Sequence, residues 1–167
     1  MKLRPAIEAD VPAMAYTLEH ANAYRDGYPP ATLQSRYEMW GDYILERMAK
    51  PDAWTHVAEL GQSVVGFALG YNSLHVESEK VRDARPELEY LSLLMVHPSA
   101  WGRGVASSLL GAVSDTVRDA GREQVFLWTG RQNSRARAVY ERNGYRAVHD
   151  FTRSSSYGEM VYYLHSV

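Results

Sequence analysis

The chain contains no cysteine among its 167 residues. Disulfides, cysteine-ligated zinc and a cysteine nucleophile are excluded together. Long apolar runs are also missing. No stretch approaches the roughly 18 residues of a membrane-spanning helix, and the N-terminal MKLRPAIEAD has no signal-peptide apolar core. Nor is there a basic excess. The 18 Lys and Arg against 20 Asp and Glu give a formal charge of −2, which argues against an electrostatic nucleic-acid binder. The 6 histidines show no ligand spacing, so no metal is expected, and no Ser-His-Asp arrangement is legible. There is no internal repeat, low-complexity segment or linker. With 46% hydrophobic and 23% charged residues, the composition is that of an ordinary globular protein. The expectation is one cytoplasmic domain over residues 1–167, without membrane or nucleic-acid partners.

The elements follow from periodicity. Residues 2–8 read as an edge strand, where Pro5 is tolerated. Asp10 is placed to cap a first helix over 11–23, with Pro12 in its first turn. Asp26-Gly27-Tyr28-Pro29-Pro30 breaks the chain, and Thr32 is placed to cap a second helix with the apolar line Leu33, Tyr37, Trp40, Ile44, Met48. Residues 53–60 and 63–71 alternate as strands around Gly61-Gln62, a two-residue hairpin connection. The charged stretch 73–86 reads as a solvated loop or a lid. Glu87–Leu110 then gives an apolar strand, a turn with Gly102-Arg103-Gly104, and a helix over about 103–120. That helix buries Val105, Leu109, Ala112, Val113 and Val117 and stops at Gly121. A strand over 124–129, a short helix from Asn133 or Ser134 to about Asn143, and strands over 145–151 and 159–165 complete the chain. The order β-α-α-β-β-β-α-β-α-β-β makes this an α/β chain with a mixed sheet.

A strand feeding a glycine turn and a helix start suits an anion, because glycines let backbone N–H groups approach it and the helix start adds partial positive charge. Gly102-Arg103-Gly104 alone does not say which anion. A P-loop needs GxxxxGK[ST], which is absent. A Rossmann fingerprint would need a small residue where Ser107 stands. It would also need an acidic residue ending the next strand, but that strand ends Trp128-Thr129-Gly130-Arg131, leaving only an NADP-binding oxidoreductase with Arg131 on the 2′-phosphate.

The second block, Asn133-Ser134-Arg135-Ala136-Arg137-Ala138-Val139-Tyr140-Glu141-Arg142-Asn143-Gly144-Tyr145, changes the weighting. With Val96, Pro98, Gly104 and Ala106 of the first block, it resembles the GCN5-related N-acetyltransferase (GNAT) superfamily. The cofactor pattern [QR]-x-x-G-x-[GA] is met except at its first position, where Trp101 stands. The later pattern N-x-x-A-x-x-x-Y-E-x-x-G-[FY] is met at every defined position. The resemblance covers essentially the whole chain and implies an acyltransferase that moves an acetyl group from acetyl-CoA to a primary amine of a small molecule or peptide, within a ternary complex.

Site residues follow from that resemblance. Backbone N–H groups of Gly102, Arg103, Gly104, Val105, Ala106 and Ser107 would hold the pyrophosphate, with Arg103 adding charge. The pantetheine arm would lie along Leu94, Met95 and Val96, one of whose N–H groups polarises the thioester carbonyl, and Asn133 would bond that arm. Tyr140 corresponds to the general acid for the leaving thiolate; its alternative is a packing tyrosine, as Tyr145 is expected to be. Glu89 is the base candidate, its alternative being an exposed strand-end carboxylate. His97 reads as solvated or cofactor-side. Tyr24, Arg25, Asp26 and Tyr28 fall where the family builds an acceptor wall, with Tyr90, Tyr71, Glu77 and Tyr157 as further candidates. A non-catalytic acyl-CoA sensor on the same fold is the alternative function, and a homodimer is compatible with the fold.

Overall fold

The computed structural model describes residues 1–156 and 158–167, with Asp150 as backbone only; Tyr157, an acceptor-wall candidate, lies outside the described residues. The strands are β1 (Lys2–Pro5), β2 (Trp54–Leu60), β3 (Ser63–Asn72), β4 (Leu88–Val96), β5 (Gln124–Gly130), β6 (Arg146–Ser155) and β7 (Gly158–Ser166). The helices are α1 (Val11–Asp26), α2 (Gln34–Met48), α3 (Val105–Asp119) and α4 (Ser134–Arg142). All seven strands join one sheet in the order β1-β2-β3-β4-β5-β7-β6. Among the described residues the one parallel pair is β4 with β5; the other pairs are antiparallel. This is a mixed sheet of the expected order, and not the open parallel sheet on which the oxidoreductase reading depended.

Strand alternation sends successive side chains to two cores. On β5, Val125 and Leu127 pack against α3 and α4 with Val105, Leu109, Val113 and Tyr140. Phe126 faces the other way, toward Met14, Leu18 and Ile44 of α1 and α2. The strand β4 breaks this rhythm. Leu91 lies in the first core and Leu93 in the second, although residues two apart share a face in a regular strand. The cause is a bulge at Ser92, where the pairing steps from Leu69↔Leu93 to Gly70↔Leu91. Beyond it β4 leaves β5, whose pairing is confined to Leu88, Glu89 and Tyr90 against Gln124, Val125 and Phe126. The sheet is therefore split between Leu91–Val96 and the end of β5.

Several local expectations are corrected. Asp10 stands at the N-cap of α1 without capping it. Its carboxylate takes both Arg4 guanidinium nitrogens at 2.7 Å and the Ile7 N–H at 2.9 Å. Helix α2 begins one residue after Leu33, not behind a Thr32 cap, and Leu33 is 70% exposed, so it does not belong to the buried line. Helix α3 starts at Val105 instead of 103, because Gly102 and Gly104 adopt φ values of 76° and 78° that a helix cannot hold. The stretch 73–86 is not simply solvated. Val76 and Val81 are buried, Ser73 Oγ exchanges hydrogen bonds with the Arg85 backbone at 2.8 and 2.9 Å, and Trp128 Nε1 donates to the Lys80 carbonyl at 2.6 Å. No helix among the described residues is long and apolar enough to cross a membrane.

The α1–α2 pair is tied by Glu19, fully buried, whose carboxylate accepts from Trp40 Nε1 at 2.7 Å, Ala31 N–H at 3.0 Å and Arg36 Nε at 3.1 Å. Burial pushes the Glu19 carboxyl up, but these donors outweigh it and hold it below the usual glutamate range. A depressed folded pKa stabilises the fold above the unfolded value of about 4.3, and that contribution is lost as pH falls through the folded value. Glu19→Gln is expected to lower Tm at neutral pH, with the gap to wild type narrowing below about pH 4; melting curves between pH 3 and 7 measure it, and a pH-independent gap would contradict this role.

Candidate active site

A cleft of about 1250 Å³ occupies the split in the sheet. It exceeds the roughly 300–1,000 Å³ usual for one small-molecule site, leaving room for two ligands. Its long wall is the freed edge of β4, Leu91 to Val96, faced by Trp128, Thr129 and Gly130 of β5. Backbone groups on that edge have no strand partner, so they are free for a ligand with amides.

At the Val96 end lies the glycine turn. No atom comes within 4 Å of a Cβ built at Gly102 or Gly104, so it is the left-handed backbone that requires glycine there, not packing. The first α3 bond runs from Ser108 N–H to the Gly104 carbonyl at 3.0 Å. The N–H groups of Val105, Ala106 and Ser107 therefore precede the intrahelical ladder, and all three residues line the cleft. Asn143 Nδ2 donates to Ser107 Oγ at 3.1 Å and fastens the end of α4 to this helix start.

Trp101, the departure from the family pattern, closes this end. Its Nε1 donates to the Val96 carbonyl at 2.8 Å, its ring meets Tyr24 edge-on at 4.7 Å, and the Arg135 guanidinium lies 4.1 Å over it. Arg135 and Arg142 line the cleft here. Arg103 is exposed and does not line it. The cation near the helix start is thus Arg135, which nothing in its local sequence distinguishes from the neighbouring arginines.

Tyr140 and Asn133 line the cleft from α4. Asn133 Oδ1 accepts the Ala136 N–H at 3.2 Å, so its carbonyl oxygen caps α4 while its amide N–H₂ is left over. Tyr140 packs beside Tyr145 and Tyr163, with ring centroids 5.7 and 5.9 Å away. Burial, and secondarily Tyr163, pushes its phenol above the usual range, so it holds its proton at neutral pH. Tyr145 is fully buried and lies outside the cleft, as a packing residue does.

Glu89 requires the main correction. It is 1% exposed and does not line the cleft. Its carboxylate is ion-paired with Arg122 and accepts Trp54 Nε1 at 2.8 Å and Asn72 Nδ2 at 3.2 Å. Its oxygens are taken by three donors and its side chain stands off the cleft wall; nor is it the exposed carboxylate of the alternative reading. Of the acceptor-wall candidates, Tyr24, Arg25, Asp26, Tyr71 and Tyr90 line the cleft. Tyr28 and Glu77 do not, and His97 stacks outside it, 5.6 Å from Tyr16. Sequence reasoning missed Trp40, Arg47, Lys80, Trp128 and Arg153 on the cleft wall. They come from α2, the loop before β4, β5 and β6, so no local pattern groups them.

Set beside known proteins, this fold has counterparts. The profile of the acetyltransferase (GNAT) family matches residues 17–145. The chain is 28% identical over 145 residues, 87% of its own length and 89% of the relative's, to the uncharacterized N-acetyltransferase YhfO of Bacillus subtilis strain 168. Its fold is similar to a putative GNAT acetyltransferase from Desulfovibrio desulfuricans, with a TM-score of 0.73, 17% identity, and 99% and 98% of the two chains covered. It is similar also to the PaiA N-acetyltransferase of Thermoplasma acidophilum in complex with coenzyme A, with a TM-score of 0.72, 13% identity and the same coverage. The chain belongs to the GNAT family of acetyltransferases, and its fold is the family's mixed-sheet α/β fold.

Proposed function

We propose that the chain transfers an acetyl group from acetyl-CoA to a primary amine by direct attack within a ternary complex, with Tyr140 as the general acid. The observation that carries this reading is the split between β4 and β5, which opens an unpaired strand edge between a glycine-turned helix start and the Tyr140 phenol. The residues fit the cofactor. The unladdered N–H groups of Val105, Ala106 and Ser107, with Arg135 nearby, suit a pyrophosphate, and the free β4 edge with the Asn133 amide suits the pantetheine amides. Bound acetyl-CoA would supply the activated acyl group as a thioester. Backbone N–H groups of β4 would polarise its carbonyl, and Tyr140 would supply the proton that the leaving sulfur takes up. With Glu89 withdrawn, Asp26 is the one carboxylate lining the cleft among the described residues, and Arg25 holds both its oxygens at 2.6 and 2.7 Å. The amine's proton is therefore assigned to cleft water.

Acetyl-CoA at about a hundred times its Kd is expected to add about 2.7 kcal/mol, a rise in Tm of about 5–10 °C for a chain of this size. NADPH should leave Tm unchanged. Thermal-shift curves, with native mass spectrometry for stoichiometry, make the comparison; stabilisation by NADPH with none by acetyl-CoA would end this reading.

A further inference from the structure

The end of the cleft away from the glycine turn has its own chemistry. Tyr90 stands six residues before Val96 on β4, roughly 20 Å at about 3.3 Å per residue. Around it the walls are aromatic. Tyr71 meets Tyr90 edge-on at 5.5 Å, and Trp40 meets Tyr43 in the same way at 5.6 Å. The charged groups are cations. Arg47 lies 3.4 Å over the Tyr43 ring and Arg153 5.7 Å over Trp128. Lys80 lines the same cleft and pairs at 3.1 Å with Glu77, which is exposed and outside it.

This runs against the chain's formal charge of −2. Among the described residues Asp26 alone brings a carboxylate to the cleft, and neither Arg47 nor Arg153 has a carboxylate within ion-pair distance. Arg47 spends one nitrogen on the Tyr43 carbonyl at 3.0 Å, and its buried Nε has no partner. A guanidinium lying over a ring still offers its remaining N–H groups to an anion. A polycation brought here would meet the like charges of Arg47 and Arg153 in a partly dry cleft, a repulsion that grows as water is excluded.

Resting on the transferase reading above, we infer that the acceptor is an amine that also carries an anionic group, carboxylate or phosphate, on an apolar or aromatic body, with Arg47 and Arg153 recognising the anion. The amine end then points along β4 toward Tyr140. Polyamines and other polycationic amines are poor acceptors.

Calorimetric titration of the CoA-saturated protein tests this with matched pairs: L-phenylalanine against L-phenylalaninamide, and O-phosphoethanolamine against ethanolamine, with spermidine as the polycation. In at least one pair the anionic member should bind at least tenfold tighter than its neutralised partner, the size expected of a charge-assisted contact. The pair showing the preference distinguishes a carboxylate from a phosphate. Arg47→Gln and Arg153→Gln should each cut the preference severalfold while acetyl-CoA affinity stays within twofold. Equal or tighter binding of the neutral members or of spermidine, a preference surviving both substitutions, or no anionic amine binding below about 10 mM overturns the inference. Thiol release on the same panel separates the two claims. Anion preference without any thiol release would sink the transferase reading and leave this one standing. Thiol release from neutral amines as readily as from anionic ones would do the reverse.

Discussion

Tyr140→Phe is expected to lower kcat by at least tenfold while acetyl-CoA affinity stays within a few-fold. The substitution removes one oxygen and leaves the ring that packs against Tyr145 and Tyr163, so fold and cofactor groove are kept. No other described side chain hydrogen-bonds the hydroxyl, so its removal orphans nothing in the free protein. A positioned general acid is typically worth 10²–10⁴-fold, and the loss falls toward the lower end if polarisation by the β4 N–H groups carries much of the rate. The raised pKa has a further consequence. A phenol that holds its proton this tightly gives it up only as charge builds on the departing sulfur, whose own basicity is raised by the same loss of water. No decline in kcat assignable to Tyr140 should then appear below pH 10. Steady-state rates of thiol release across pH 6–10 measure both points. An unchanged kcat for Tyr140→Phe with a competent acceptor would remove the residue from the acid role.

Much of this architecture is written locally. Gly61-Gln62 between two alternating runs sets the β2–β3 hairpin, and the glycines at 102 and 104 set the turn because that left-handed backbone strongly favours glycine. Asn133 caps α4 as its residue type predicts. What was not legible depends on partners distant in sequence. The run Leu91-Ser92-Leu93-Leu94 reads as an unbroken strand, and only pairing with β3 shows that Ser92 is an extra residue that parts β4 from β5. Glu89 reads as a strand-end carboxylate because its partners Trp54 and Asn72 lie 35 and 17 residues away. The cationic aromatic end of the cleft is invisible for the same reason. It is assembled from α2, the ends of β3 and β4, the loop before β4, and the strands β5 and β6, each unremarkable alone.

Glu89→Ala should therefore act on stability, not chemistry, with a loss of about 3–5 kcal/mol, the usual cost of breaking a buried ion pair from one side. The loss has identifiable parts. The Arg122 guanidinium keeps Asp52 at 3.1 Å but loses its buried partner, and Trp54 Nε1 loses its acceptor, whereas Asn72 Nδ2 keeps the Pro86 and Leu88 carbonyls at 2.8 and 3.2 Å. Trp54 has little room to repack, because its ring lies against Gly70, where even a methyl group would approach it to 2.3 Å. For a chain of this length the loss corresponds to a fall in Tm of about 6–20 °C. The milder Glu89→Gln keeps an acceptor for Trp54 and removes only the charge, so it should fold at 20 °C and allow kinetics. Its kcat and its pH profile are expected to match wild type within a few-fold, whereas losing a general base would cost about a hundredfold or more and remove the acidic limb of the profile. Adding Arg122→Leu to Glu89→Leu should cost less than the two single substitutions together, since the second change removes the charge that the first left uncompensated. Denaturant titrations of the four proteins give that coupling directly. Strict additivity, or a collapse of kcat in a well-folded Glu89→Gln protein, would return Glu89 to the chemistry from which its three donors remove it.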